Sequence, residues 1–217
     1  MPMGINLRTD LTSSIFTTVA STPTSGKAQI LTFSLANRTS NAGTFRLAVV
    51  NNGTTTPAAG DYIEYDTPIA ARSVFERTGL VLQNGQTLVA YSSIAGTSAV
   101  TYGLEDTVAN TNTGAFKYNL TPATYTTLTT GPSSGRYQTV TVNFCNTSAS
   151  TMFIRLNIST TATSPAAADF IEYDVPLAPY SELERSGIVI GNGQQIGAYA
   201  SAASCNVVAF IVDDLGS

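Results

Sequence analysis

The sequence predicts an all-β protein: two tandem antiparallel β-sandwich domains, immunoglobulin-like or jelly-roll, produced by an internal duplication. Three observations carry this. The first is composition. Of 217 residues, 33 are Thr and 21 are Ser, and only 11% are charged, against the usual ~25%. Thr suits a pleated strand because its branched Cβ packs well there. The apolar fraction of 43% is enough to build cores.

The second observation is the repeat itself. Aligning residue n with n+108 from Asp61 to Asp106 gives 21 identities in 46 ungapped positions. Asp61-Tyr62-Ile63-Glu64-Tyr65-Asp66-Thr67-Pro68 falls on Asp169-Phe170-Ile171-Glu172-Tyr173-Asp174-Val175-Pro176. Glu76-Arg77-Thr78-Gly79 falls on Glu184-Arg185-Ser186-Gly187, and Asn84-Gly85-Gln86 on Asn192-Gly193-Gln194. Upstream the offset becomes 109, so that Lys27 meets Arg136 and Arg46-Leu47 meets Arg155-Leu156. The slip falls in Asn51–Thr56, a polar stretch where length changes cost little. The expected boundaries are a first domain at 1–107, a small-polar linker at 108–116 and a second domain at 117–217.

The third observation is strand patterning. In the first repeat, strand-like runs fall near 15–20, 27–36, 44–50, 61–66, 78–83, 86–93 and 98–105. Leu31, Phe33 and Leu35 form one alternating set, and Phe45, Leu47 and Val49 alternate with Thr44, Arg46 and Ala48. Val140, Val142 and Phe144 repeat the first set. Asn84-Gly85 and Asn192-Gly193 sit between apolar runs and predict hairpins. Tyr91, Tyr102, Tyr199 and Phe210 read as core aromatics. About seven short strands per hundred residues fit a sandwich.

Composition also excludes functions. Without His there is no Ser-His-Asp triad, imidazole base or His-ligated metal. A net charge of −4 with scattered basic residues does not predict nucleic-acid binding. No apolar run approaches the ~20 residues of a membrane helix, and Met1–Arg8 does not read as a signal peptide. Cys145 and Cys205 face Ala36 and Thr97 in the other copy, so they are expected as separate reduced thiols.

Ten charged residues stand out as interaction or structural candidates: Arg46, Glu64, Asp66, Glu76, Arg77 and their counterparts Arg155, Glu172, Asp174, Glu184, Arg185. Strict alternation places Glu64 and Asp66 on one face and Asp61 on the other, which argues against calcium. Arg46 and Arg155 lie in apolar strands and are expected to pair across the sheet with Glu64 or Glu172. Glu76-Arg77 and Glu184-Arg185 precede a Gly and are expected to fix a turn, with an intersubunit salt bridge as the alternative. No catalytic, cofactor or metal site is expected. A carboxylate-based hydrolase ranks last because it would need two identical sites.

The pairing of Phe170–Leu177 with Leu183–Ile190 resembles small virion proteins of tailed bacteriophages. These join an IEYD-P strand to an ERTG segment, an NGQ-like hairpin and a final strand such as Ala99–Asp106. The resemblance implies a non-enzymatic virion structural protein, foremost a capsid decoration (cement) protein assembled in the host cytoplasm. Its partners would be the major capsid protein or other virion proteins, or further copies of itself, without nucleic acid or membrane. The alternatives are a tail, neck or fibre protein, and a carbohydrate-binding or adhesion module.

Overall fold

The computed structural model describes residues 2–107, 112–133 and 135–213. The first repeat forms β1 (Met3–Leu11), β2 (Thr17–Ala20), β3 (Lys27–Asn37), β4 (Gly43–Asn51), β5 (Tyr62–Ile69), β6 (Val74–Gln83), β7 (Gln86–Ser92) and β8 (Thr97–Thr107). The second forms β9 (Gly114–Asn119), β10 (Thr126–Thr130), β11 (Tyr137–Asn146), β12 (Met152–Ser159), β13 (Phe170–Leu177), β14 (Glu182–Gly191), β15 (Gln195–Ala200) and β16 (Cys205–Asp213). A 3-10 turn at Ala167–Asp169 precedes β13. No described helix is long and apolar enough to cross a membrane.

Strand order identifies the sandwich. The first repeat has sheets β1-β8-β3-β6 and β2-β7-β4-β5. The second has β9-β16-β11-β14 and β10-β15-β12-β13, the same order with eight added to every number. All ladders between named strands are antiparallel. Eight strands in this order make the double Greek key of a jelly roll, which decides against the immunoglobulin-like alternative. The structure differs from the expected pattern in two places. The strand β1 was absent from the pattern because its side chains are mostly exposed. Of the segment read as linker, residues 108–111 lie outside the described residues, and Gly114–Phe116 already belong to β9.

The alternating sets do face the cores. Leu31, Phe33, Leu35, Phe45, Leu47 and Val49 are almost fully buried in one cluster. Val140, Val142 and Phe144 centre the other. Asn84-Gly85 is not a hairpin, because β6 and β7 belong to different sheets. It is a corner that carries the chain across the sandwich. Gly85 takes φ 87°, Asn84 donates to the Pro23 carbonyl (2.7 Å), and Gln86 Oε1 accepts from Gln83 N (3.0 Å). The second copy repeats these contacts with Asn192, Pro132, Gln194 and Gly191. Only glycine adopts such a φ without strain.

Cys145 and Cys205 are buried and free. Cys205 belongs to the second core, whereas Cys145 pairs with Asn206, whose side chain points at the first domain. The two thiols therefore sit on opposite faces of one sheet. Burial raises both thiol pKa values, that of Cys205 to about 12, so little thiolate exists at neutral pH. Ellman's reagent at pH 8 is expected to leave the folded protein unlabelled and to titrate both thiols after unfolding. Rapid labelling of either in the native state would contradict this burial.

Candidate interaction surfaces

The acidic strands β5 and β13 do not follow strict alternation. In the β4–β5 ladder, Phe45 faces Thr67 and Leu47 faces Glu64, so Tyr65 and Asp66 together oppose Arg46. This is a β-bulge, and Asp66 adopts φ 49°, a conformation that Asp tolerates better than most residues. The second copy places Tyr173 and Asp174 opposite Arg155, with Asp174 at φ 51°. The extra residue turns Asp66 to the outer face while Glu64 stays inside. Glu64 and Asp66 thus do not share a face, and the expected Arg46–Glu64 and Arg155–Glu172 pairs are corrected.

Arg46 instead grips Asp66 through a two-pronged fork at 2.7 and 2.9 Å. Its guanidinium lies 4.3 Å from the Tyr65 ring centre and 5.2 Å from that of Tyr91. Arg155 grips Asp174 at 2.6 and 3.1 Å, lies 4.3 Å from Tyr173 and 4.7 Å from Tyr199, and donates to the Tyr125 hydroxyl. These forks raise the pKa of both guanidinium groups. Tyr91 and Tyr199 are therefore half-buried supports on the outer sheet face, not core residues. Tyr102 is 40% exposed, and of the four only Phe210 is deeply buried. Arg46→Ala is expected to lower stability by ~1 kcal/mol, the scale of a half-exposed ion pair with cation–π support. An unchanged urea midpoint would show the fork to be stability-neutral.

Glu64 pairs with Arg77, and Glu172 with Arg185. Each pair joins the edge strands of the two sheets of its own sandwich. The Glu-Arg-x-Gly segments lie inside β6 and β14, not in turns. Their glycines form left-handed bulges, Gly79 at φ 71° and Gly187 at φ 70°. Asp61 meets Lys117 at 2.7 Å. Asp61, Glu64 and Asp66 thus diverge to three different cations, and no group of three potential metal ligands occurs among the described residues.

Arg77 also reaches across the domain boundary to Glu184, at 2.7 Å. This ion pair lies within one chain, between its two domains. The junction is extensive. Lys117 also donates to the Val49 carbonyl (3.1 Å), Gly60 N donates to Asn206 Oδ1 (3.0 Å), and Ala115 N donates to Gln86 Oε1 (3.1 Å). Tyr65 stacks on Tyr180 with centroids 6.2 Å apart. Val208, Phe210 and Ala115 join the first domain's apolar cluster, which includes Ile63 and Val81. The β5–β6 edge of the first sandwich is therefore seated on the outer face of the β9-β16-β11-β14 sheet. A signal for this was present in the sequence: Tyr102 and Leu104 become Phe210 and Val212 in the copy whose face is covered.

A recess of about 550 Å³ is lined by Tyr125, Arg155, Pro165, Ala167, Phe170 and Tyr173 on the outer face of the second domain.

No family model and no curated protein matches the chain. Similar solved structures include the STIV MCP, at 10% identity and TM-score 0.34 over 98% of this chain and 96% of that one. The major capsid protein P2 from bacteriophage PM2 has 9% identity and TM-score 0.36, with the same coverage. A CBM22 tandem domain from Paenibacillus barcinonensis Xyn10C has 9% identity and TM-score 0.27 over 97% and 91%. The jelly-roll assignment rests on the strand order of this chain, which is a duplicated all-β sandwich protein.

Proposed function

We propose that this chain is a non-enzymatic structural protein of a virus particle, specifically a decoration protein on the outer capsid surface of a tailed phage. One observation supports it above the others: the motif shared by both repeats is used for construction. Its carboxylates go to arginines, as Asp66 to Arg46, Asp174 to Arg155, Glu64 to Arg77 and Glu172 to Arg185. A general acid or nucleophile needs a carboxyl group poised towards a substrate, and these ion pairs turn the four away from that role. Two jelly rolls locked together and covered in Thr and Ser suit a rigid contact body. Multivalent attachment to a lattice lets modest contacts add up. The partner in this reading is the major capsid protein, or another virion protein, met in the host cytoplasm.

The test is co-sedimentation of the purified protein with capsids, followed by electron microscopy of the source particle. Copy numbers matching capsomers or symmetry axes are expected. A few copies at one vertex would identify a tail, neck or fibre component instead. The aromatic recess at Tyr125, Phe170 and Tyr173 favours a second reading, a glycan-binding module, since sugar rings stack on aromatic faces. Glycan binding abolished by Tyr173→Ala, with no capsid binding, would establish that reading.

A further inference from the structure

We propose that the junction between the two domains is repeated between molecules, so that copies of this chain associate head to tail. The second domain's β13–β14 edge would seat on the outer face of the next copy's β1-β8-β3-β6 sheet. This inference stands on the duplication and the domain junction, independently of any virion role.

The junction has two sides, and each has an unused twin. On the seated edge, Ile63 and Val81 are buried at 0% and 3% exposure. Their counterparts Ile171 and Val189 are 39% and 55% exposed. On the receiving face, Phe210 is buried and Val212 packs against the first core. Their counterparts Tyr102 and Leu104 are 40% and 55% exposed, and Ile30, paired with Leu104, is exposed on the same face. The molecule therefore carries one satisfied junction and both halves of a second. Exposed apolar side chains gathered on two such surfaces mark interaction sites. Both halves stand exposed in the single molecule, so it does not close them on itself.

The polar contacts transfer with their signs intact. Arg77–Glu184 becomes Arg185 with Glu76 of the next copy. Asp61–Lys117 becomes Asp169 with Arg8. Asp61 accepts from Ala58 N with one oxygen while the other meets Lys117. Asp169 accepts from Ala166 N in the same way, which aims its second oxygen like that of Asp61. Tyr65 on Tyr180 becomes Tyr173 on Arg72, a cation–π pair. Arg72 and Tyr180 hold the same left-handed turn, at φ 54° and 53°. Two charge pairs and one ring contact surviving duplication with complementary partners argue for a second copy as the occupant. A contact between different surfaces of identical chains propagates head to tail, and closes into a ring if the rotation allows.

Native mass spectrometry and sedimentation velocity on the full chain test this. The expected species are multiples of the 22.7 kDa chain. Leu104→Lys, at an exposed site, should give monomers with an unchanged far-ultraviolet circular dichroism spectrum. Arg8→Asp should weaken association about tenfold or more, the cost of losing and reversing one interfacial charge pair. Adding Asp169→Arg should restore it, because the pair is re-formed with inverted signs. A wild type that stays monomeric at tens of micromolar would overturn the proposal. Multimers that ignore Leu104→Lys and Arg8→Asp, or a double variant no better than Arg8→Asp alone, would overturn it equally.

Discussion

Arg77→Ala should lower the free energy of unfolding by about 3–5 kcal/mol, whereas Arg185→Ala, at the matching position, should cost about 1 kcal/mol. The two arginines occupy equivalent strands and bind equivalent glutamates, yet their surroundings differ. The Arg77 side chain is 10% exposed and Glu64 is fully buried. Removing Arg77 strands a carboxylate without solvent and also breaks the Glu184 contact across the junction. Arg185 is 40% exposed and Glu172 15%, so water replaces much of what is lost. Breaking a buried pair is costly even where the intact pair adds little, because desolvation offsets its attraction. The double variant Glu64→Leu with Arg77→Met should therefore regain much of the loss. Denaturant unfolding at pH 7 measures all three. Equal losses at Arg77 and Arg185 would mean that the junction does not govern the energetics of the pair.

Phe210→Ala should be as damaging, at about 3–5 kcal/mol, and should also change the form of the unfolding transition. Phe210 belongs to the second domain by sequence and to the first core by packing. Truncation leaves a void at the boundary, so the two sandwiches should melt in separate steps where the wild type melts in one. Tyr102→Ala, the same position in the first repeat, removes an exposed ring and should change stability by no more than ~0.5 kcal/mol. Calorimetry distinguishes the cases. A single sharp transition in the Phe210 variant would show that the domains hold together without it.

The duplication, the sandwich class and the inward sets around Phe33, Phe45 and Phe144 were legible because alternation survives wherever a ladder is regular. The bulges were not. One inserted residue at Asp66 reverses the face of everything after it, and only the left-handed backbone of that residue marks the change. The Arg46 partner was misassigned for this reason alone. The Asn84-Gly85 corner was misread because a tight turn specifies a change of direction, and the sheet that receives the next strand is chosen by packing far away. The junction was half visible. The change from Tyr102 and Leu104 to Phe210 and Val212 tells which copy is covered, but what covers it appears only when β5 and β6 are seen against β16. Eight of the ten charged candidates lie on the two motifs, and Arg46 and Arg155 on the adjoining β4 and β12, though their roles depend on register that spacing does not reveal.

The strand β16 is buried on both faces, and it is the last of the described strands. Synthesis therefore delivers the sandwich that supplies the seat's covering edge first, and the greasy sheet that needs cover emerges after it. Nascent domains fold in that order, so the earlier half stands ready to shield the later one as it appears. Gene halves swapped in order would expose that sheet to water while its guardian was still untranslated, and precipitation during expression is the outcome to look for.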